Sequence, residues 1–294
     1  MTRWALRRVA KTRQRIGHKQ SLPIPTKERL GSAYARCFGR PQYRRMNNLL
    51  LYLSMRGLGF DNWRDHAISG EESFLQALLR KTAEHPVVLD VGAYHGDYAK
   101  IVRRYSSGAR IYCFEPHPRS FKTLQTAAQE HGFTALPFAC GAQNGDGFLF
   151  DFASEDGSKF ASCYEETLRE RRDVSLSRHQ TKLVTIDEFA RSRGIEEIEL
   201  LKVDVEGAEI DVLQGANGLI HEHRIHAIQF EAGFAHVIQH TWMRDFYRLL
   251  IGYSFYRLLP HGLLPLGEYR PPTHEMFRFQ NVVALSDAPR HRNL

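Results

Sequence analysis

The stretch that decides the fold is VVLDVGAYHGDYAK, residues 87–100. It joins an apolar run that ends near an acid, Asp90, to a turn with Gly92 and Gly96 and to a helical pattern from Asp97. Glycine allows a tight turn and a close approach by a ligand, and a helix N-terminus offers unpaired N–H groups. The segment therefore predicts a nucleotide-binding turn, although by itself such a turn is also compatible with plain packing.

A second acid lies where nucleotide-binding folds hold a ribose. IYCFEPHP, residues 111–118, places Glu115 at the end of the next strand, roughly 20 residues beyond the glycines. A carboxylate there can accept hydrogen bonds from both ribose hydroxyls. The acid at Asp90 and the missing G-x-G-x-x-G spacing both argue against a nicotinamide-dependent oxidoreductase.

The third element is ELLKVDVEGAEIDVLQGA, residues 199–216, in which Lys202, Asp204 and Glu206 alternate with valines. Period-two alternation predicts that all three polar side chains share one face of a strand. Three charges at the carboxyl end of a parallel strand are costly to bury without a function, and ligands bind at that edge. Lys202 is either a ligand contact or the ion-pair partner of the acids.

Glu231 ends the following strand, in AIQFEAG, and is predicted at the same edge of the sheet. Either Glu231 or His236 can orient an acceptor hydroxyl or take its proton. For His236 and the nearby His240, the sequence favours the interpretation as ordinary polar loop residues. The HEHRIH run at 221–226 precedes a strand at the opposite edge, so no metal site is predicted there.

From Val87 onward, short apolar runs alternate with longer helical patterns, which predicts right-handed βαβ units. The predicted fold class is α/β, a Rossmann-like fold with a mostly parallel sheet flanked by helices. Segment 151–182 lacks strand periodicity and is predicted to be a long excursion over a bound substrate. The predicted boundaries are a basic N-terminal extension at 1–45, a helical segment at 46–84, the Rossmann-like domain at 85–287 and a tail at 288–294.

The net charge of +7 is unevenly distributed. Residues 1–45 carry 13 Lys or Arg against one acid, whereas the rest carries 27 against 32 and is therefore −5. This favours a basic arm on a mildly acidic domain over a uniform nucleic-acid-binding face. The arm can touch anionic lipid, an acidic partner or RNA, or be merely solvated.

No apolar run approaches the roughly 20 residues of a membrane-spanning helix, and no secretory signal is evident. The four cysteines, Cys37, Cys113, Cys140 and Cys163, have neither zinc-site nor disulfide-framework spacing. We therefore expect a cytoplasmic protein without a structural metal; the sequence predicts no oligomeric state.

Several motifs, in this order and spacing, resemble the FkbM family of S-adenosylmethionine-dependent methyltransferases over roughly Val87–Leu285. Tyr94, where the family often has Asn, and Cys163 depart from the family pattern. The segments that carry the resemblance are DVGAYHGDY (90–98), FEPHP (114–118), GSKFASCY (157–164), LLKVDVEGAEIDVLQGA (200–216) and FEAG (230–233).

The resemblance implies binding of S-adenosyl-L-methionine and methyl transfer, commonly to a hydroxyl oxygen of a sugar, a polyketide or another secondary metabolite. In-line displacement is expected, with Asp204 as the leading candidate for general base or acceptor orientation, Glu231 second, and Glu206 a supporting or metal-binding acid. The predicted cofactor contacts are Asp90, Gly92, Ala93, Tyr94, Gly96, Glu115, Pro116 and Asp204. The predicted acceptor contacts are Lys202, Ser158, Ser162 and His236.

Two alternatives remain from the sequence. The chain can be a catalytically silent methyltransferase-like scaffold that binds partners through its basic arm, although Asp90, Gly92, Gly96 and Glu115 are all present. A nucleic-acid methyltransferase is disfavoured, because the sequence contains no Asn-Pro-Pro-Tyr type segment for a flipped base. The acceptor, a small molecule or a glycan, is expected to be selected by residues 151–180 and 258–273.

Overall fold

The computed structural model describes residues 24–82, 84–172 and 174–288. The chain forms two compact units, Met1–Leu53 and Ser54–Leu294. The first half of the basic extension predicted at 1–45, and almost all of the tail predicted at 288–294, lie outside the described residues. The predicted domain boundaries stay predictions.

The described part of the first unit is helical. The hydroxyl of Tyr34 donates to Oδ1 of Asn47 at 2.6 Å, and Nδ2 of Asn47 donates to the carbonyl of Phe38 at 3.0 Å. These bonds tie its two helices together. The elements are α1 (Ile24–Phe38), a 3₁₀ turn (Pro41–Tyr43) and α2 (Arg44–Gly57), whose last turn belongs to the second unit.

The second unit alternates strands and helices as the sequence predicts. Its described strands are β1 (Val87–Val91), β2 (Arg110–Phe114), β3 (Thr134–Leu136), β4 (Phe138–Cys140), β5 (Gly145–Phe152), β6 (Leu176–Val184), β7 (Ile198–Val203), β8 (Ile225–Ala232), β9 (Tyr253–Leu259), β10 (Gly262–Pro265) and β11 (Gln280–Ser286). Its described helices are α3 (His66–Ser69), α4 (Glu71–Leu79), α5 (Asp97–Tyr105), α6 (Pro118–His131), α7 (Glu165–Arg171), α8 (Ile186–Ser192), α9 (Glu209–Gln214), α10 (Asn217–His221), α11 (Phe234–Ile238), α12 (Met243–Leu249) and α13 (Pro271–His274).

The central sheet has the strand order β10-β9-β11-β8-β7-β1-β2-β3. Its pairs from β8 to β3 are parallel, and the pairs that add β11, β9 and β10 are antiparallel. Val91 of β1 lies opposite both Phe114 of β2 and Val203 of β7. The residues after these three strands therefore meet at one edge of the sheet, which confirms the predicted α/β fold and the edge where ligands bind in such folds.

Apolar side chains cover both faces of the central sheet. Helices α8, α9, α10 and α12 contribute to the core on one face, and α4, α5 and α6 to the core on the other. Within the described ranges, no helix combines the length and the apolar character that a membrane span requires.

The excursion predicted at 151–182 is more ordered than its sequence suggests. It contains α7 and most of β6, whose residues 176–183 pair with β5 in a small sheet of order β4-β6-β5. The prediction of no strand here was wrong. Strand β6 is mostly half-buried or exposed, so the alternation of apolar and polar residues that marks a core strand is absent.

Candidate functional site

The turn after β1 depends on glycine. Gly92 has φ +80°, and a Cβ built on it would come within 1.8 Å of the main-chain oxygen of Asp204. Gly96, at φ +82°, precedes α5, and a Cβ there would lie 2.9 Å from atoms of Leu124 and Phe133. Tyr94 adopts φ 49°, a left-handed conformation that costs a non-glycine residue energy. The turn is therefore closely packed as well as strained.

Glu115, directly after the neighbouring strand β2, is hydrogen-bonded to the backbone of this turn. Its Oε2 accepts the N–H of Tyr94 at 2.9 Å, and its Oε1 accepts the N–H of His117 at 2.8 Å. The residue is buried, and burial raises the pKa of its carboxyl to about 7 although the two N–H groups lower it. Each carboxylate oxygen has a second lone pair, so the group can still accept hydrogen bonds from a ligand.

Asp90 is completely buried, and neither of its carboxylate oxygens has a hydrogen-bond partner in the described part of the chain. Burial raises the pKa of Asp90, while the Nζ of Lys202, 3.5 Å away, lowers it. Lys202 also donates to Oδ2 of Asp204 at 3.1 Å. The contacts of Lys202 are therefore those of an ion-pair partner of Asp90 and Asp204.

Strand β7 ends at Val203, so the predicted alternation through Glu206 on one strand face was wrong. The cause is Glu209, whose Oε1 accepts the N–H of Val205 at 2.9 Å and whose Oε2 accepts the N–H of Gly207 at 3.0 Å. These bonds fold residues 204–207 into a turn directly after the strand. The sequence reasoning missed Glu209.

Glu206 occupies the tip of this turn, at φ 53°. Its Oε2 lies 2.6 Å from Nη2 of Arg171, so the excursion of residues 151–182 is tied to the turn by an ion pair. Burial raises the pKa of Glu206 to about 8, and Arg171 acts in the opposite direction. Glu206 is thus positioned by a cation that the sequence reasoning did not single out.

The register of β7 and β8 pairs Val203 with Phe230, so Asp204 and Glu231 follow neighbouring positions at the same edge. Burial raises the pKa of Glu231 well above its usual range, and the surrounding carboxylates add to this effect.

His236 lies in α11 and is buried, with its Nε2 2.9 Å from Oε2 of Glu209. The interpretation of His236 as an ordinary loop residue was therefore wrong.

A cleft at this edge brings together part of the predicted site. Its free volume is only about 50 Å³, and residues 158–163, four of which line it, cover one side. The predicted residues that line the cleft are Gly92, Tyr94, Glu115, Pro116, Ser158, Asp204 and Glu206. Those that do not line it are Asp90, Ala93, Gly96, Ser162, Lys202, Glu231 and His236.

Ser162 does not line the cleft because its side chain is fully buried. Its hydroxyl donates to the carbonyl of Glu206 at 2.9 Å. Lys159 and Cys163, which were not assigned, are in the lining. The roles assigned to all these side chains stay predictions.

Asp151 is a further residue that the sequence reasoning missed. It is fully buried at the end of β5, and its Oδ2 accepts the N–H groups of Gly157 at 2.7 Å and Ser158 at 2.8 Å. Its Oδ1 accepts the N–H of Phe152 and the hydroxyl of Ser158. Asp151 thus holds the segment that covers the cleft.

A second cluster joins this segment to the end of β2. The Oδ1 of Asp156 lies 2.7 Å from Nε2 of His179 and 3.1 Å from Nε2 of His117. Two histidines and one aspartate at this spacing suit a metal ion. However, Nδ1 of His117 accepts the N–H of Arg119 at 3.2 Å, which places the ring proton on Nε2. A nitrogen that binds a metal must be deprotonated, so the geometry favours a hydrogen-bonded cluster over a metal site.

The residues at the glycine turn fit the nucleoside cofactor that the resemblance implies. Asp90 is enclosed beside Lys202 and does not line the cleft. Gly92 and Glu115 do line it: Gly92 contributes backbone only, and Glu115 offers carboxylate acceptors at the end of β2. Together they present acceptors to the hydroxyl and amino groups that such a cofactor carries.

Relatives of moderate similarity include three methyltransferases from different organisms. The hexuronic acid methyltransferase AglP of Haloferax volcanii is 26% identical over 171 residues, 58% of this chain and 66% of that protein. The 2-O-methyltransferase NoeI of Sinorhizobium fredii is 27% identical over 141 residues, 44% of this chain and 57% of that protein. The 31-O-demethyl-FK506 methyltransferase FkbM of Streptomyces tacrolimicus is 28% identical over 183 residues, 51% of this chain and 70% of that protein.

The first two matches thus span less than two thirds of each relative. The model of the methyltransferase FkbM domain matches residues 90–255, which begin at the end of β1 and contain the glycine turn, the cleft and strands β2 to β8. This match covers more than half of the chain. On that basis the chain belongs to the methyltransferase FkbM domain family.

Proposed function

We propose that this protein transfers a methyl group from S-adenosyl-L-methionine to a hydroxyl oxygen of a sugar, a glycan or a secondary metabolite. The observation that carries the proposal is the meeting of Gly92, Glu115 and Asp204 in one cleft at the carboxyl ends of β1, β2 and β7. When bound, the cofactor supplies a methyl group on a positively charged sulfur.

The residues of the turn bind and orient that cofactor. Glu115 accepts hydrogen bonds from the ribose hydroxyls, and the backbone of Gly92 forms part of the cleft wall. Asp204 places a carboxylate at the cleft wall, and Lys202 links it to the buried Asp90. Ala93, Tyr94, Gly96 and Pro116 shape the turn around these contacts.

The acceptor hydroxyl is held by the carboxylates that follow β7 and β8. Asp204 lines the cleft and is partly exposed, so it can orient the hydroxyl and take its proton as the methyl group is transferred. Glu231 is the second candidate because it follows β8 at the same edge of the sheet, where burial raises the pKa of its carboxyl above the usual range. Glu206, held by Arg171, supports the same region. Lys202, Ser158, Ser162 and His236 contribute contacts or position these groups.

The acceptor class is supported by the relatives. AglP is named for a hexuronic acid and NoeI for 2-O-methylation, so a carbohydrate hydroxyl is the first acceptor class to test. FkbM of Streptomyces tacrolimicus is named for the 31-O position of FK506, which makes a metabolite hydroxyl the second.

The test is calorimetric titration of the purified protein with S-adenosylmethionine and S-adenosylhomocysteine. Glu115→Gln removes the negative charge that accepts the ribose hydrogen bonds, and Glu130→Gln on the exposed face of α6 is the matched control. We expect at least tenfold weaker binding for Glu115→Gln, since a hydrogen bond to a charged group contributes about 1.5–3 kcal/mol. The control should bind like the wild type.

Turnover is then measured with a methyl-labelled cofactor on uronic acid glycans, neutral glycans and hydroxylated metabolites. Labelled product from any of these acceptors supports the proposal. A folded wild-type protein that binds neither form of the cofactor contradicts it and points to the catalytically silent scaffold.

A further inference from the structure

A second cavity lies at the antiparallel edge of the central sheet. Its volume is about 620 Å³, within the range of about 300–1,000 Å³ that small-molecule sites occupy. Leu58 and Phe60 form part of one wall, and Leu264 and Met276 form part of another. The cavity is therefore large enough for a ligand and mostly apolar.

This cavity is separate from the cofactor cleft. The two sets of lining residues have no member in common. Strands β11 and β8 lie between β9, which borders the cavity, and β7, which borders the cleft. Three strand spacings of about 4.8 Å separate β9 from β7 by about 14 Å.

Arg257 of β9 brings a positive charge to this apolar cavity. It is only 4% exposed, and its guanidinium carbon lies 3.8 Å from the centre of the Phe60 ring. Its Nε donates to Oε1 of Gln280 at 2.8 Å, and its Nη1 donates to the carbonyl of Leu58 at 3.1 Å. The side chain is thus fixed in position by two neutral acceptors and an aromatic ring.

No carboxylate in the described ranges forms an ion pair with Arg257. Its Nη2 has no hydrogen-bond acceptor among those residues and is not one of the enclosed polar atoms, so it keeps some accessible surface, and Arg257 is one of the residues that line the cavity. Burial lowers the pKa of Arg257 to about 10, which leaves it positively charged near neutral pH. A buried cation without a counter-ion is costly.

The other polar groups of the cavity do not neutralise Arg257. Arg270 and Glu268 are both exposed at the rim, and their opposite charges offset each other. Both ring nitrogens of His274 are engaged by the backbone, Nδ1 at Arg270 and Nε2 at the carbonyl of Leu266. The cavity therefore carries one net positive charge, on the buried Arg257.

We propose that this cavity binds an apolar carboxylate, with its single negative charge on Nη2 of Arg257 and its hydrocarbon part against Leu58, Phe60, Leu264 and Met276. One cation in an apolar cavity complements one anion with an apolar body. A dianionic phosphate would leave one charge uncompensated, and the chain's own basic extension carries the wrong sign. The proposal does not depend on methyl transfer.

The test is calorimetric titration of the full chain with octanoate, octan-1-ol, acetate and octyl phosphate, each below its aggregation limit. We expect octanoate to bind at least tenfold more tightly than octan-1-ol, which lacks the charge, and than acetate, which lacks the chain. Octyl phosphate should bind more weakly than octanoate. Equal binding of octanoate and octan-1-ol, or of octanoate and acetate, overturns the proposal, as does an absence of octanoate binding.

Two variants locate the site. Arg257→Met removes the charge but keeps much of the side-chain volume, and it should reduce the preference for octanoate over octan-1-ol to less than threefold. Leu264→Trp fills the cavity from a half-buried position and should abolish octanoate binding with Arg257 in place. Arg248→Met, at an exposed position of α12, is the matched control.

Cofactor titration and thermal unfolding verify that each variant is folded. If Arg257→Met does not fold, Leu264→Trp still decides the outcome. Unchanged octanoate binding in Leu264→Trp places the ligand elsewhere and overturns the proposal.

Discussion

The main-chain oxygen of Asp204 occupies the space in which a side chain at Gly92 would begin. A Cβ at Gly92 would lie 1.8 Å from that oxygen, and the N–H of Asp204 donates to the carbonyl of Val91 at 3.0 Å. The ends of β1 and β7 are therefore in direct backbone contact. The cleft keeps its shape only while position 92 has no side chain.

Gly92→Ala should destabilise the protein by about 3 kcal/mol or more, since it combines a left-handed backbone with a clash against fixed backbone atoms. Cofactor binding should weaken as the two strand ends separate. Chemical denaturation and calorimetric titration measure the two effects.

Gly132→Ala is the matched control, because Gly132 has φ +71° but a Cβ at this position would meet nothing within 4 Å. It should cost only about 1 kcal/mol, which is the energy of the left-handed conformation alone. Equal losses in the two variants would show that the contact with Asp204 does not constrain the turn.

Lys202→Met should destabilise the protein by about 3–5 kcal/mol, because it leaves the buried carboxylate of Asp90 without a nearby cation. The double variant with Asp90→Asn removes both charges and should recover at least half of that loss. Denaturant unfolding of the two single variants and the double variant gives the coupling energy. A coupling near zero contradicts the assignment of Lys202 as the counter-ion of Asp90.

Asp151→Asn should loosen the segment that covers the cleft, since an amide cannot accept all four hydrogen bonds that the carboxylate accepts. We expect a loss of about 2 kcal/mol and faster protease cleavage near residues 157–163. Asp146→Asn, at an exposed ion pair with Lys182, should change stability by less than about 0.5 kcal/mol. Equal protease resistance of wild type and Asp151→Asn would remove Asp151 from this role.

The raised pKa of Glu115 predicts a pH dependence of stability. The folded protein keeps this proton up to about pH 7, whereas the unfolded chain releases it near the usual value of 4.5. The folded state therefore binds more protons in this window, and its stability should fall as pH rises from about 4.5 to 7.

Glu115→Gln isolates this contribution, because the amide does not titrate. The free energy of unfolding of the wild type minus that of the variant, measured without cofactor at several pH values, should decrease from pH 5 to pH 7. A difference that stays constant or increases contradicts the raised pKa.

Asp204→Asn should lower kcat by about 10²–10⁴-fold with the acceptor identified by screening, as expected for loss of a general base. Glu231→Gln should have the smaller effect, because Glu231 does not line the cleft. Glu222→Gln, an exposed acid just after α10, is the control. Near-normal turnover in both Asp204→Asn and Glu231→Gln, with cofactor still bound, removes the proton-transfer assignment.

Local sequence determined the strand–turn–helix unit at residues 87–100 and the acid after β2. These features depend on contacts between near neighbours: an apolar run that forms a buried strand, glycines where φ is positive, and an acid at a strand end. The alternation of strands and helices determined the parallel part of the sheet for the same reason.

The tertiary structure decided which polar residues meet. Arg171 reaches Glu206 from 35 residues away, and His236 lies against Glu209. Such pairs have no period in the sequence, because they form only when separate elements pack together and buried charges require partners. For the same reason the sequence did not predict the role of Arg257. Its position beside an apolar cavity follows from the packing of β9 against Phe60 and not from its neighbours in sequence.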